Sequence, residues 1–229
     1  MANLMILLSM ILPYFPLMNI QLNQFQNTEA LIFQGLELFR SLFPDIGKSD
    51  GVMLAGGRTP LEIYRRAAGN DLFTEATLFL SDERYVPNTD SQSNYGTIFP
   101  MFGNLMQIKT ELPIEEAAQA FHNELSQLER IPLGLLGVGA DGHTASLFNL
   151  EDAALRDERL AIPVIKPEKP DRISVTPTLL NRIERIIILA TGAEKKEITR
   201  TLLNDPESIP AGVALSDHPN VEIWTDQSV

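Results

Sequence analysis

His143 follows Gly139-Ala140-Asp141-Gly142, directly after the apolar run Leu133 to Val138. That run reads as a buried strand, so the glycines place a histidine in the turn at its carboxyl end. A neutral imidazole there can take a proton from water near pH 7. Asp141 is close enough in sequence to orient the ring or to support its charged form. The pattern also suits a histidine that caps the next helix or bonds a carbonyl. Among the three histidines, however, only His143 sits in a glycine-rich strand-end loop. His122 falls in a helical stretch and His218 in a polar loop, and both are expected at the surface.

Three further loops carry suitable side chains. In Ala55-Gly56-Gly57-Arg58-Thr59-Pro60 the glycines let the backbone approach a ligand. Thr59 reads as a helix N-cap, Pro60 as a first-turn residue and Glu62 as the end of a capping box. Free N–H groups at that helix start would make an anion site. In Ser81-Asp82-Glu83-Arg84-Tyr85-Val86-Pro87, followed by Ser93-Asn94-Tyr95, Asp82 can accept from a sugar hydroxyl and Arg84 can hold anionic oxygen. Arg172 opens a strand, and Lys195 begins a helix after Thr191-Gly192. Singly, each cation suits a solvated surface. Together, Arg58, Arg84, Arg172 and Lys195 form a local basic cluster.

Such a cluster matters because the 229 residues carry a net charge of −12. That balance excludes nucleic acid as a partner, and an anionic small molecule would need local positive charge set against the overall field. The absence of cysteine removes disulfides, thiolate nucleophiles and thiolate zinc sites, and it suits a reducing cytoplasm. Residues 4–18 are nearly all apolar but are broken by Ser9, Pro13 and Pro16, and no Lys or Arg precedes Arg40. The stretch lacks the charged flank of a secretory signal and the length of a membrane span. Residues 1–17 therefore read as an extension, with Met18 the natural start, and no membrane association is expected.

The elements that must position these loops alternate. Helices are expected at 28–43, 60–68, 114–128 and 193–203. Strands are expected at 52–55, 77–80, 133–138, 162–165, 173–175, 185–190 and 221–225. This order predicts an α/β fold: a doubly wound, mostly parallel open sheet, modified Rossmann-like, with helices on both faces. Ligands of such sheets bind beyond the carboxyl ends of the strands, which points to loops 56–59, 81–94, 139–144 and 191–195.

The chain resembles the 6-phosphogluconolactonases within the glucosamine-6-phosphate deaminase-like group. The resemblance rests on Leu54-Ala55-Gly56-Gly57-Arg58-Thr59-Pro60, the Ser81 to Pro87 and Ser93 to Tyr95 segments, Gly137-Val138-Gly139-Ala140-Asp141-Gly142-His143-Thr144-Ala145-Ser146-Leu147-Phe148, Arg172-Ile173-Ser174-Val175-Thr176 and Thr191-Gly192-Ala193-Glu194-Lys195. These stretches stand in family order from about residue 19 onward, and their co-occurrence is far more specific than any one alone. Departures are Arg58 where serine is frequent, Asn149 where proline commonly follows Phe148, and residues 1–17, which have no counterpart.

The resemblance implies one lactonase domain over 18–229 that hydrolyses 6-phospho-D-glucono-1,5-lactone without metal or organic cofactor; a cytoplasmic location is expected, and a monomer is the favoured state. It implies His143 as the base. Asp141 or Asp82 would orient base or sugar, and Arg84 or an N–H near Gly139 would face the oxyanion. Gly56, Gly57, Arg58, Thr59, Arg172 and Lys195 would lie around the phosphate. Aldosamine-6-phosphate deaminases on the same fold typically carry glutamate five residues after the histidine, where this chain has Phe148, and tend to have tyrosine at the place of Arg84. A non-catalytic sugar-phosphate sensor would usually add a basic DNA-binding segment, and the residues before Glu29 supply none. No Gly-x-Ser-x-Gly elbow marks a covalent serine.

Overall fold

The computed structural model describes residues 20–72 and 74–229. The expectations for residues 1–17 and for Met18 lie outside them. The chain runs β1 (Ile20–Gln24), α1 (Thr28–Leu42), β2 (Asp50–Leu54), α2 (Arg58–Gly69), β3 (Thr77–Leu80), β4 (Asp82–Arg84), α3 (Asn94–Phe102) and α4 (Ile114–Ser126). It continues through β5 (Arg130–Gly137), α5 (Leu150–Ala153), β6 (Ala161–Val164), β7 (Arg172–Val175), α6 (Pro177–Leu180), β8 (Ile186–Ala190), α7 (Lys196–Asn204), α8 (Pro210–Ala214) and β9 (Val221–Thr225).

Six strands form one parallel sheet in the order β1-β9-β8-β5-β2-β3. Its inner strands are mostly apolar because both faces are covered, and Ile186, Ile187 and Ile188 on β8 are all fully buried. Alternate side chains feed two cores. Val52 and Leu54 join α1, α2 and α3 on one face, while Met53, Ile186 and Ile188 join α4, α7 and α8 on the other. The doubly wound expectation holds.

Beside this sheet stands a three-stranded antiparallel sheet, β4-β7-β6, which the sequence pattern did not single out. In it Asp82 pairs with Ser174 and Arg84 with Arg172. The chain connects β2 and β3 on one side, whereas β5 lies on the other side of β2. The loops after β2 and β5 therefore part, and a crevice opens at the carboxyl ends of these strands.

Two local expectations are corrected. Gly57, at φ 104°, is the N-cap of α2, and Thr59 lies inside the helix. The Thr59 hydroxyl instead lies 2.6 Å from that of Thr191, and Glu62 pairs with Arg66. His218 is buried rather than superficial, 2% exposed. Its Nε2 bonds the Ile183 carbonyl at 2.7 Å and its Nδ1 accepts from Asn220 N at 3.1 Å. His122 is half-buried, and its Nδ1 accepts from Leu160 N.

Candidate active site

The loops after β2, β3, β5 and β8 surround a cleft of about 260 Å³. Gly56 and Gly57 come from the first loop, Asp82 and Arg84 from β4, His143 from the loop after β5, and Lys195 from the turn after β8. A second cavity of about 170 Å³ adjoins it, sharing Gly56, Gly57 and Lys195 and adding Arg58, Thr59 and Thr191.

His143 is fixed by its own turn. Its Nδ1 lies 2.5 Å from Asp141 Oδ1, and its carbonyl accepts from Gly139 N at 2.8 Å. Gly139 permits this closeness, since a Cβ there would fall 2.2 Å from Nδ1 and 2.3 Å from Asp141 Oδ1. Burial works against the Asp141 carboxylate, yet the hydrogen bond and charge of His143 hold its carboxyl below the usual range. With Nδ1 engaged, Nε2 is the ring nitrogen left for proton transfer. The Phe148 ring packs 4.5 Å from the imidazole, and Lys166 Nζ covers the Phe148 ring at 3.5 Å.

The Asp82 carboxylate accepts from Ser81 Oγ at 3.1 Å and from Ser146 Oγ at 2.7 Å. The Arg84 Nη1 donates to Asn94 Oδ1 at 2.5 Å and to the Gln92 carbonyl at 3.2 Å. Lys195 Nζ donates to the Val138 carbonyl at 2.7 Å, which draws the cation to the end of β5. Arg58 is almost wholly solvated and lies 3.7 Å from Glu194. Arg172 is absent from the lining of both cavities. It stands beside Arg84, and its Nη1 donates to the carbonyls of Pro170 and Asp171. Burial, and then the neighbouring Arg84 charge, lower the Arg172 pKa.

The structure brings the four expected loops together; of the candidates, Asp141 reaches the cleft through His143, and Arg172 lines neither cavity. Sequence reasoning assigns nothing to Asn94 or Ser146, although both fall within the quoted stretches. What each does depends on a partner distant in the chain, Arg84 or Asp82. Of the oxyanion candidates, Arg84 lines the cleft, and among the N–H groups near Gly139 the Gly139 amide itself is already engaged by His143. Among the described residues no group of three or more histidines and carboxylates is placed to hold a metal.

The sequence model of the glucosamine-6-phosphate isomerases/6-phosphogluconolactonase family matches residues 45–224. The chain belongs to this family. The 6-phosphogluconolactonase of Thermotoga maritima is 36% identical over 166 residues, 67% of this chain and 74% of that protein. The human 6-phosphogluconolactonase is 32% identical over 186 residues, 74% of this chain and 72% of that one. The crystal structure of the Thermotoga maritima 6-phosphogluconolactonase superposes with a TM-score of 0.76 at 30% identity, covering 90% of this chain and 97% of that one. A monomeric glucosamine-6-phosphate deaminase shares the fold of the family, with a TM-score of 0.75 at 20% identity. At Phe148 an aromatic ring, not a carboxylate, lies against the histidine.

Proposed function

We propose that this protein is a hydrolase that converts 6-phospho-D-glucono-1,5-lactone to 6-phospho-D-gluconate, the second step of the oxidative pentose phosphate pathway. The observation that carries the reading is the Asp141-held His143 in one cleft with Arg84 and Lys195. The phosphate lies at the start of α2, where the first amides have no intrahelical partner, with Lys195 and Arg58 supplying charge. Arg172 adds positive charge at the Arg84 end.

His143 Nε2 takes a proton from water as the water oxygen bonds to the lactone carbonyl carbon. Arg84 stabilises the oxyanion that forms. The bond from that carbon to the ring oxygen then breaks, and the imidazolium returns its proton to the departing oxygen. The new carboxylic acid loses its proton to solvent. Asp82 orients a sugar hydroxyl. Lactones of this kind also open spontaneously, so a positioned base and one oxyanion donor suffice. Phe148 disfavours the deaminase reading, because the ring-opening relay of those enzymes needs a carboxylate there.

A monomer is the favoured state. The cysteine-free composition suits the cytoplasm, and no helix among the described residues is long and apolar enough to cross a membrane. The test is acid release from freshly made lactone, measured above the spontaneous rate. His143→Ala should cost roughly 10²–10⁴-fold in kcat, and near wild-type turnover in that variant would remove His143 from the mechanism.

A further inference from the structure

Glu83 is a charged side chain with no part in the chemistry above, yet it is fully buried. It sits in the middle of β4, between Asp82 and Arg84, which both line the cleft, and strand alternation turns it the other way. Its Oε1 accepts from Arg84 N at 2.6 Å and from Asn94 N at 2.9 Å. Its Oε2 accepts from Tyr95 N at 2.6 Å and from Ser93 Oγ at 3.1 Å. All four partners are neutral donors. Burial pushes its pKa up, and these four bonds oppose that rise.

Asn94 and Tyr95 begin α3, and Ser93 is its N-cap, accepting from Gly96 N at 3.0 Å. Glu83 thus satisfies helix-start amides that have no intrahelical partner, and places its negative charge where the helix dipole favours it. The held segment reaches the cleft through one side chain. Asn94 Nδ2 donates to the Asp82 carbonyl at 3.0 Å, its Oδ1 takes the Arg84 guanidinium, and its carboxamide packs on the Gly56 backbone. The Gln92 carbonyl, one residue before Ser93, takes the same Arg84 nitrogen.

We propose that Glu83 is a positioning residue that, by clamping the start of α3, fixes Asn94 and so aims Arg84 into the cleft. The role rests on the lactonase reading only for its kinetic expression. Glu83→Gln keeps the size but turns one acceptor into a donor, which then faces N–H and O–H groups that also donate. The clamp opens, and Arg84 loses its fixed partner.

The experiment is a double-mutant cycle with Arg84→Met, read in kcat and KM on fresh lactone. Arg84→Met should lower kcat on the order of 10²-fold, as loss of an oxyanion donor does. Glu83→Gln should lower kcat by about tenfold with KM little changed. Added to Arg84→Met, it should cost less than about twofold more, because the two act as one unit. Independent, multiplying losses would overturn the proposal, as would a Glu83→Gln enzyme that melts earlier but turns over normally. If Glu83→Gln does not fold, Ser93→Ala removes one of the four donors and runs the same cycle at smaller amplitude, with multiplying losses again decisive.

A second readout is independent of turnover. The side-chain N–H resonance of Arg84, identified by its loss in Arg84→Met, should be sharp in the wild type and broadened in the Glu83 or Ser93 variant. If the wild type fails to hydrolyse lactone, the functional reading falls, while this resonance still decides the role of Glu83. An unchanged Arg84 signal would sink it.

Discussion

Asp141 Oδ1 and His143 Nδ1 lie 2.5 Å apart within a single turn, so the carboxylate selects which ring nitrogen is free for chemistry. Asp141→Asn should leave the fold intact and lower kcat on the order of 10²-fold, since an amide neither fixes the tautomer nor supports the imidazolium. A variant that keeps most of its turnover in the lactone assay would show that His143 needs no partner.

Gly139 offers a steric test of the same pair. Its Cβ-free backbone lies against both Asp141 and His143, so Gly139→Ala must drive one of them away. The expected result is a loss of kcat approaching that of His143→Ala, with cooperative thermal unfolding retained. Normal turnover would mean that the turn can yield without disturbing the base.

Lys195 and Arg172 should separate in binding measurements. Lys195 lines both cavities, whereas Arg172 lines neither. Lys195→Ala should weaken 6-phosphogluconate about 10- to 100-fold, the equivalent of roughly 1.5–3 kcal/mol for a charged hydrogen bond, and leave unphosphorylated gluconate nearly unchanged. Arg172→Ala should weaken the phosphorylated ligand less. Titration calorimetry that finds equal losses for both ligands in Lys195→Ala would move the phosphate elsewhere.

His218 predicts a pH dependence of stability. Burial pushes its pKa below the ordinary value, with hydrogen bonds to Ile183 and Asn220 acting in the opposite direction. The unfolded chain therefore takes a proton near pH 6.5 while the folded chain stays neutral. Stability is full above that pH and falls as pH drops toward the folded pKa, by up to roughly 1.4 kcal/mol per pH unit from this group. His218→Gln should be less stable at pH 8 but show a flatter decline between pH 6.5 and 5. An unchanged slope in denaturant melts would assign the acid sensitivity to other groups.

The sheet was legible because parallel strands buried on both faces read as plain apolar runs, as in Ile186 to Ala190. The loops that line the cleft followed from the rule that places sites at strand ends. What escaped the sequence was set by distant partners. Asp82-Glu83-Arg84 does not look like a strand, and it becomes one only because β7 pairs with it and four donors satisfy Glu83. Thr59 has the type and place of a cap, but Gly57 supplies the turn and Thr191 takes the hydroxyl. His218 lies in a stretch that reads as solvent-facing, and only the fold shows the two backbone groups that draw it inward.

Among the described residues β1 pairs only with β9, Ile20 opposite Val221, and the Asp226 carboxylate just beyond binds both Thr28 at the start of α1 and Gly192 N in the turn before Lys195. During synthesis on the ribosome the first described strand therefore waits for β9, its partner among the described residues. The turn that carries Lys195 is braced at the same late moment. Nascent chains arrested before Val221 should expose residues 20–24 to protease, and protection at that stage would show that the edge is covered some other way. Catalytic competence then waits on β9, which completes both the sheet edge and the brace of the Lys195 turn.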